Sequence, residues 1–369
     1  MRREYRLKAL NLYGVQDLRF EESPRPVIQD EHDVIIKVKA AGICGSDLSR
    51  YQKLGPYVEG MTFGHEFSGE VVEVGPGVQR FKPGDRVGAC PTFVCGKCEP
   101  CKSGYPSQCS ELHVIGAKQP GSFAEYVKLP EDHLLHLPDE VDFETAALLE
   151  PSCVVAHGLY RANVQPGADI AIMGVGSIGL LAIQWAKIFG AKRIIAIDVD
   201  QHKLEIAKLL GADILIHSSF HSPYEQLMEY TDGRGVDVAI ESAGSPITSA
   251  HVLSLPKKGG KVVFMGIPYA NVNIERFYFE KIARNELTVY GSWNALSAPF
   301  PGREWASSLH YMSTGQITVK PIISHRLELS EGPNTFRKIV NKEMSYVKVL
   351  FLPEKEGDHH RHYESLSSA

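Results

Sequence analysis

Four of the chain's seven cysteines, Cys95, Cys98, Cys101 and Cys109, fall within fifteen residues, CGKCEPCKSGYPSQC. Sulfur at this density does one of three things: it pairs into disulfides, holds an iron–sulfur cluster, or closes a zinc tetrahedron. A second set of metal-capable residues is scattered: Cys44 in GICGSDLSR, His65 and Glu66 in FGHEFSG, and Glu150 in ALLEPSC. Each stands near glycine or proline in a loop context. Cysteine, histidine and carboxylate together can hold zinc with three protein ligands and leave a fourth position open. A lone buried cysteine or histidine is more often core than ligand. Spacing alone does not join residues that lie over a hundred positions apart.

A third constellation is GVGSIG, with Gly174, Gly176, Ser177, Ile178 and Gly179. GxGxxG by itself is a weak signal, but here an apolar strand precedes it and a helix opens at it. The first glycine permits the tight turn, the second lets backbone approach a pyrophosphate, and the third lets helix and strand pack closely. The pyrophosphate would rest on the helix N-terminus. Asp198, nineteen residues after Gly179, ends the next strand in AIDVD. A carboxylate there binds both ribose hydroxyls and repels a 2′-phosphate, so NAD is expected rather than NADP.

Two kinds of scaffold must position these residues. Residues 1–150 are rich in Gly, Pro and short β-type runs such as DVIIKVKAAGI and FSGEVVEVGPGV, separated by turns such as KPGDRV. They predict a β-rich domain with long functional loops. From about residue 166 to 295 apolar strands alternate with helices: ADIAIMG, SIGLLAIQWAKIFGA, RIIAIDVD, HKLEIAKLLGAD, GVDVAIESAG, GGKVVFMGI and LTVYGSW. That alternation predicts a doubly wound parallel sheet, an α/β fold. Residues 298–353 are mixed and end in the apolar VKVLFLP, and 354–369 read as a disordered polar tail.

With 369 residues, 43% of them hydrophobic, the chain buries a large core and is long enough for two domains. The net charge of −5 shows no basic face, so nucleic acid is not an expected partner. No run of about 18 apolar residues predicts a membrane span, and MRREYRLKAL is not a secretory signal. The expected compartment is a reducing cytoplasm, where an odd cysteine count with one dense cluster favours metal over disulfides.

Taken in order, AAGICGSD, GHEFSGEVVEVG, GDRV, the four-cysteine lobe, GSFAEY, EP and GVGSIG resemble the zinc-dependent medium-chain dehydrogenases along almost the whole chain. The resemblance implies a GroES-like catalytic domain at 1–155, a Rossmann NAD-binding domain at 156–297, and a return to the catalytic domain at 298–353. It implies two zinc ions per chain: a structural one in Cys95, Cys98, Cys101 and Cys109, and a catalytic one on Cys44, His65 and Glu150, with Glu66 in or beside that shell. Glutamate at 150 resembles the polyol branch. Zinc would acidify a substrate hydroxyl, Ser46 would take the first proton, and hydride would pass to NAD. Gly266, Ile267 and Ser292 would line the nicotinamide pocket, and His157 the cleft. Cys90 and Cys153 are left as packing residues.

Many polyol dehydrogenases read CGSDxH, whereas here Ser49 and Arg50 follow. Arg50, Lys53 and Lys118 are candidate substrate contacts for a polyol phosphate of the galactitol 1-phosphate type. An unphosphorylated polyol of the sorbitol type and L-threonine are the alternative substrates, and a zinc-ribbon interaction module is the alternative outside enzymes. A homo-oligomer, dimer or tetramer, is expected from the resemblance.

Overall fold

The computed structural model describes residues 6–353, so the expected tail at 354–369 lies outside the described residues. Strand Asp33–Gly42 is the axis of the β-rich part. It is buried along nearly its whole length, which suits its continuous apolar run. It pairs antiparallel with Glu66–Val74, Tyr126–Pro130 and the late strand Lys348–Phe351, inside a seven-stranded sheet. Register then does chemical work. Gly42 pairs with Glu66 on one side and with Leu350 on the other. Cys44 lies two residues past Gly42, and His65 just before Glu66, so both loops leave the same end of the sheet.

The second sheet has six parallel strands in the order Ile214–His217, Arg193–Asp198, Asp169–Met173, Val236–Glu241, Pro256–Phe264, Thr288–Gly291. Strand order reverses beside Asp169–Met173, and an open α/β sheet binds its ligand in the crevice at such a point. Asp169–Met173 is buried at every residue. Helix Gln201–Leu210 buries the expected stripe Leu204, Ala207 and Leu210 and stops at Gly211, whose φ of +110° suits glycine. All the strands and both helices expected between 166 and 295 are present.

Helix Leu149–Arg161 joins the two sheets, so the expected domain boundary at 155 falls inside a continuous helix. It packs against strands of the β-rich part, helix Ser177–Ile188 and helix Arg303–Ser313. A surface linker would be polar, but this helix is buried from both sides. Cys90 and Cys153 are fully buried packing residues, as expected. Among the described residues no helix is long and apolar enough to cross a membrane.

The C-terminal return is anchored by Phe336, on helix Gly332–Val340. Its fully buried ring meets Tyr51 and Phe63, each at 5.4 Å between centroids, and Phe123 at 6.2 Å. Replacing Phe336 by Ala is expected to cost about 3–5 kcal/mol in urea unfolding, because a large aromatic cavity collapses poorly. A cost below about 1 kcal/mol would show that the return is not an integral part of the core.

Candidate active site

In the lobe, one sulfur each from Cys95, Cys98, Cys101 and Cys109 lie within 4.8 Å of one another. Cys109 Sγ is 3.5 Å from Cys95 Sγ, far longer than a disulfide, and all the cysteines are free. Four thiolates at about 2.3 Å from one zinc stand roughly 3.8 Å apart by tetrahedral geometry. An iron–sulfur cluster interposes several atoms and needs a wider cage. Backbone N–H groups of Cys95 and Glu111 donate to Cys109 Sγ at 3.2 and 3.4 Å, and that of Cys98 donates to Cys95 Sγ at 3.3 Å. Such amides support anionic sulfur. Backbone hydrogen bonds from Cys101 and Ser110 draw Cys98 down to about 6, whereas burial and its neighbouring thiols push Cys101 up to about 12. A dication removes that conflict by letting every thiol ionise.

The second cluster brings together Cys44, His65 and Glu66, whose ligand atoms also lie within 4.8 Å of one another. Asp47, buried one turn after Cys44, accepts from the Cys44 N–H at 2.9 Å and sits 3.6 Å from His65 Nδ1. A carboxylate behind the ring leaves Nε2 for a metal. Burial opposes charge on His65, but Asp47, with Cys44 and Glu150, overrides it and holds the imidazole well above its ordinary value. Desolvation pushes Asp47 up to about 6 and Glu150 to about 7. Glu150 is not part of the tight group. It lies near enough that His65, Glu66, Lys348 and Asp47 all act on its charge.

Glu66 is not free to behave as a simple ligand. Its Oε2 accepts from Lys348 Nζ at 2.6 Å, both side chains are 2% exposed, and Lys348 also donates to the Ile43 carbonyl at 2.9 Å. A Cβ on Gly42 would collide with this oxygen. Lys348 and Asp47 are functional residues that sequence reasoning missed. The signal for Lys348 was present: one lysine inside the apolar VKVLFLP demands a carboxylate partner. The buried acids outnumber the buried bases, and a divalent cation offsets that excess. Sulfur, imidazole and carboxylate suit zinc.

The dinucleotide loop has the form the glycines require. Gly174 has φ +90°, and a Cβ on it would lie 2.5 Å from Ala243. One on Gly179 would collide with the Gly174 carbonyl. A Cβ on Gly176 would meet nothing, and its φ is −69°, so no internal constraint calls for glycine there; a ligand's close approach does. Helix Ser177–Ile188 starts at Gly176 without a side-chain cap, leaving amide N–H groups for an anion. Asp198 accepts from the N–H groups of Val175 at 2.7 Å, Val199 at 2.7 Å and Asp200 at 3.0 Å. It braces the glycine turn and keeps remaining lone-pair capacity for a ribose.

Gly266 sits against Glu241, a buried residue not singled out from the sequence. Glu241 Oε1 accepts from the N–H groups of Ala243 and Gly244 and from Thr248 Oγ1 at 2.6 Å, fixing the loop that faces Gly174. Ile267 is 66% exposed, whereas Ser292 is buried with its Oγ lacking a partner among the described residues. A Cβ on Gly158 would stand 3.2 Å from that oxygen.

The Alcohol dehydrogenase GroES-like domain family matches residues 30–139, and the Zinc-binding dehydrogenase family matches residues 177–308. The chain belongs to the zinc-binding dehydrogenases. It is 34% identical over 354 residues to a sorbitol dehydrogenase of Bacillus subtilis, covering 95% of this chain and 98% of that one. It is equally 34% identical over 336 residues to galactitol 1-phosphate 5-dehydrogenase of Escherichia coli, covering 91% and 97%. A crystal structure of galactitol-1-phosphate dehydrogenase from Escherichia coli superposes with a TM-score of 0.88 over 94% of this chain and all of that one. A zinc-binding dehydrogenase from Sinorhizobium meliloti, bound to NADP, is 32% identical with a TM-score of 0.85 over 95% and 100%.

This zinc-binding dehydrogenase is an NAD-dependent alcohol or polyol dehydrogenase, with a GroES-like domain and a Rossmann domain. Zinc and a nicotinamide dinucleotide are the cofactors typical of its family. The interaction-module alternative is thereby set aside.

Two outcomes test the metal centres. Cys98→Ser is expected to lose one of two zinc ions and much of the thermal stability, read by metal analysis and thermal melting. Retention of both ions at full stability would refute a metal in the lobe. Lys348→Met is expected to destabilise by about 3–5 kcal/mol, because it strands the Glu66 carboxylate in the interior. Adding Glu66→Leu should recover part of that loss, since an apolar pair replaces an orphaned charge; no recovery would show that the two side chains are not coupled.

Proposed function

We propose that this enzyme oxidises a secondary alcohol of a polyol phosphate, of the galactitol 1-phosphate type, and passes the hydride to NAD. The observation that carries the phosphate is the state of two cations beside the metal cluster. Arg50 and Lys53 follow Cys44 in the chain, and neither forms an ion pair among the described residues. The Arg50 guanidinium stacks on Tyr57 at 3.3 Å and donates to the Gly55 carbonyl at 3.1 Å. Lys53 Nζ lies 5.4 Å from the ring centre of Tyr269, just after Gly266 and Ile267. Neither positive charge is neutralised by a carboxylate among the described residues, and Lys53 reaches Tyr269 of the dinucleotide half. A phosphate supplies the missing anion. Lys118, the third expected contact, is exposed on a loop that packs on Phe63 and Gly64, beside His65.

The other roles combine the family resemblance with this clustering. The zinc would be held by Cys44 and His65, with Glu150 as the third ligand the resemblance implies, while Glu66, which shares the tight group with Cys44 and His65, would exchange onto it. When bound, the zinc supplies Lewis acidity toward the substrate hydroxyl, and NAD is the hydride acceptor. Ser46, exposed one residue before Asp47, takes the hydroxyl proton toward solvent. Gly174, Gly176, Ser177, Ile178 and Gly179 cradle the pyrophosphate, Asp198 takes the adenosine ribose, and Gly266, Ile267 and Ser292 line the nicotinamide pocket. A second copy of the chain is the expected partner. The last strand of the parallel sheet, Thr288–Gly291, has an open edge and leaves Val289 44% exposed.

A plain polyol of the sorbitol type is the second reading, because the sorbitol relative is as similar as the galactitol phosphate one. Steady-state rates with galactitol 1-phosphate, galactitol and sorbitol decide between them. The phosphorylated substrate is expected to have the highest kcat/KM, and Arg50→Ala to raise its KM about tenfold to a hundredfold without loss of zinc. Equal kcat/KM for galactitol and its phosphate would overturn the phosphate and leave a polyol dehydrogenase.

Cofactor choice is tested separately. Asp198→Ala is expected to raise the KM for NAD and to narrow its advantage over NADP, by removing ribose contacts and the repulsion of a 2′-phosphate. A wild type that prefers NADP would refute the role given to Asp198.

A further inference from the structure

The segment from Ser292 to Gly302 runs from the end of the parallel sheet to helix Arg303–Ser313, and it is tied down at both ends. At its start, the Ser292 N–H donates to the Phe264 carbonyl at 3.0 Å. Further along, Trp305 Nε1 donates to the Ala295 carbonyl at 2.7 Å, and Ser297 Oγ donates to Glu304 Oε2 at 2.6 Å. Glu304 is 1% exposed, and its other oxygen lies 2.8 Å from His157 Nδ1. Gly302, at φ +117°, has no room for a side chain: a Cβ would lie 2.5 Å from both Glu304 Oε2 and Ser297 Oγ. His157 sits on helix Leu149–Arg161, one residue before the Gly158 that faces Ser292 and Met265.

The far end of the segment reaches the four-cysteine lobe. Phe300 packs edge-on against His133 at 4.9 Å, His133 against Phe93 at 4.2 Å, and Phe93 stacks on His113 at 5.0 Å. Phe93 and His113 belong to the strand pair that brackets the cysteines. Gly104, between Cys101 and Cys109, faces Ala298, which a Cβ there would meet at 3.8 Å.

We propose that residues 295–302 form a positioning strap, with Ser297 and Phe300 in it and Glu304 on the following helix as positioning residues, that couples the structural lobe to the nicotinamide end of the cofactor cleft. It rests on the assignment of Ser292 to the nicotinamide pocket made above. The lobe fixes Phe300, the His157–Glu304 pair fixes Ser297, and together they set where Ser292, Trp293 and Asn294 stand. The strap acts by placing those three residues.

The test is NADH titration by fluorescence, alongside KM for NAD, kcat, zinc content and thermal melting, in Ser297→Ala, Phe300→Ala, Glu304→Ala and Glu304→Gln. Ser297→Ala and Phe300→Ala are expected to weaken NADH binding about three- to tenfold with both zinc ions retained. KM for NAD should rise more than kcat falls. Glu304→Gln should bind NADH more tightly than Glu304→Ala, because the amide oxygen still accepts from His157 or Ser297. Ser297→Ala combined with Phe300→Ala should cost less than the sum of the two, since both act through one segment. A merely structural segment would lower the melting temperature and leave NADH affinity unchanged below it. Wild-type NADH affinity in both Ser297→Ala and Phe300→Ala overturns the strap alone. A wild type that binds no NADH overturns the dinucleotide reading and the strap with it.

Discussion

A lysine and a glutamate, 2.6 Å apart and both 2% exposed, form the interaction on which the site depends. Moving either ion out of water costs several kcal/mol, and only close pairing with further hydrogen bonds offsets that cost. Glu66 and Lys348 are 282 residues apart in sequence, so the pair exists only if the last strand returns to the first sheet. The return is therefore part of the metal centre. Asp47 and Glu66 crowd one small volume with Cys44 and His65, and Glu150 is near enough for its charge to act on them. Lys348 is the fixed cation that lets the acids coexist before any metal arrives. Replacing the pair by apolar side chains would conserve stability more easily than it would conserve the carboxylate beside Cys44 and His65.

Sequence pattern carried the parallel half well. Its apolar strands and the 3.6-period stripe of Leu204, Ala207 and Leu210 are local signals, and the structure contains each. The four-cysteine lobe was equally legible because its ligands are neighbours in the chain. The scattered centre was not. Cys44 and His65 meet because Gly42 pairs with Glu66, and no spacing rule encodes that register. Lys348 and Glu304 were missed for the same reason: each is an ordinary charged residue until a long-range contact buries it. The expected boundary at 155 falls within helix Leu149–Arg161, a buried element packed against both halves, whereas domain boundaries are sought in polar linkers.

That helix also fixes a distance that chemistry needs. Glu150 stands at its start, where its charge acts on His65 and Glu66, and Gly158 stands against Met265 and Ser292, which is proposed for the nicotinamide pocket. Eight residues of α-helix separate them, roughly 12 Å along the axis. A helix packed on both sides is among the stiffest spacers available, since its interior cannot adjust by a methylene without strain. Hydride transfer depends on the separation between the metal-held carbon and the nicotinamide ring. If Glu150 and Ser292 take the roles proposed for them, one helix links the two places.

The two cations proposed to meet the substrate phosphate are charged without being paired to a carboxylate. A lysine beside a carboxylate would already have its partner, and a phosphate would have to displace it. Arg50 and Lys53 instead rest on the faces of Tyr57 and Tyr269. An exposed cation–π contact contributes about 0.5–1 kcal/mol, enough to restrain a flexible side chain and little to give up. The full positive charge remains available to an incoming anion. Tyr57 belongs to the metal-bearing half and Tyr269 to the dinucleotide-binding half. On the phosphate reading, an anion meeting Lys53 would lie beside Tyr269 of the dinucleotide-binding half while its partner Arg50 rests in the metal-bearing half.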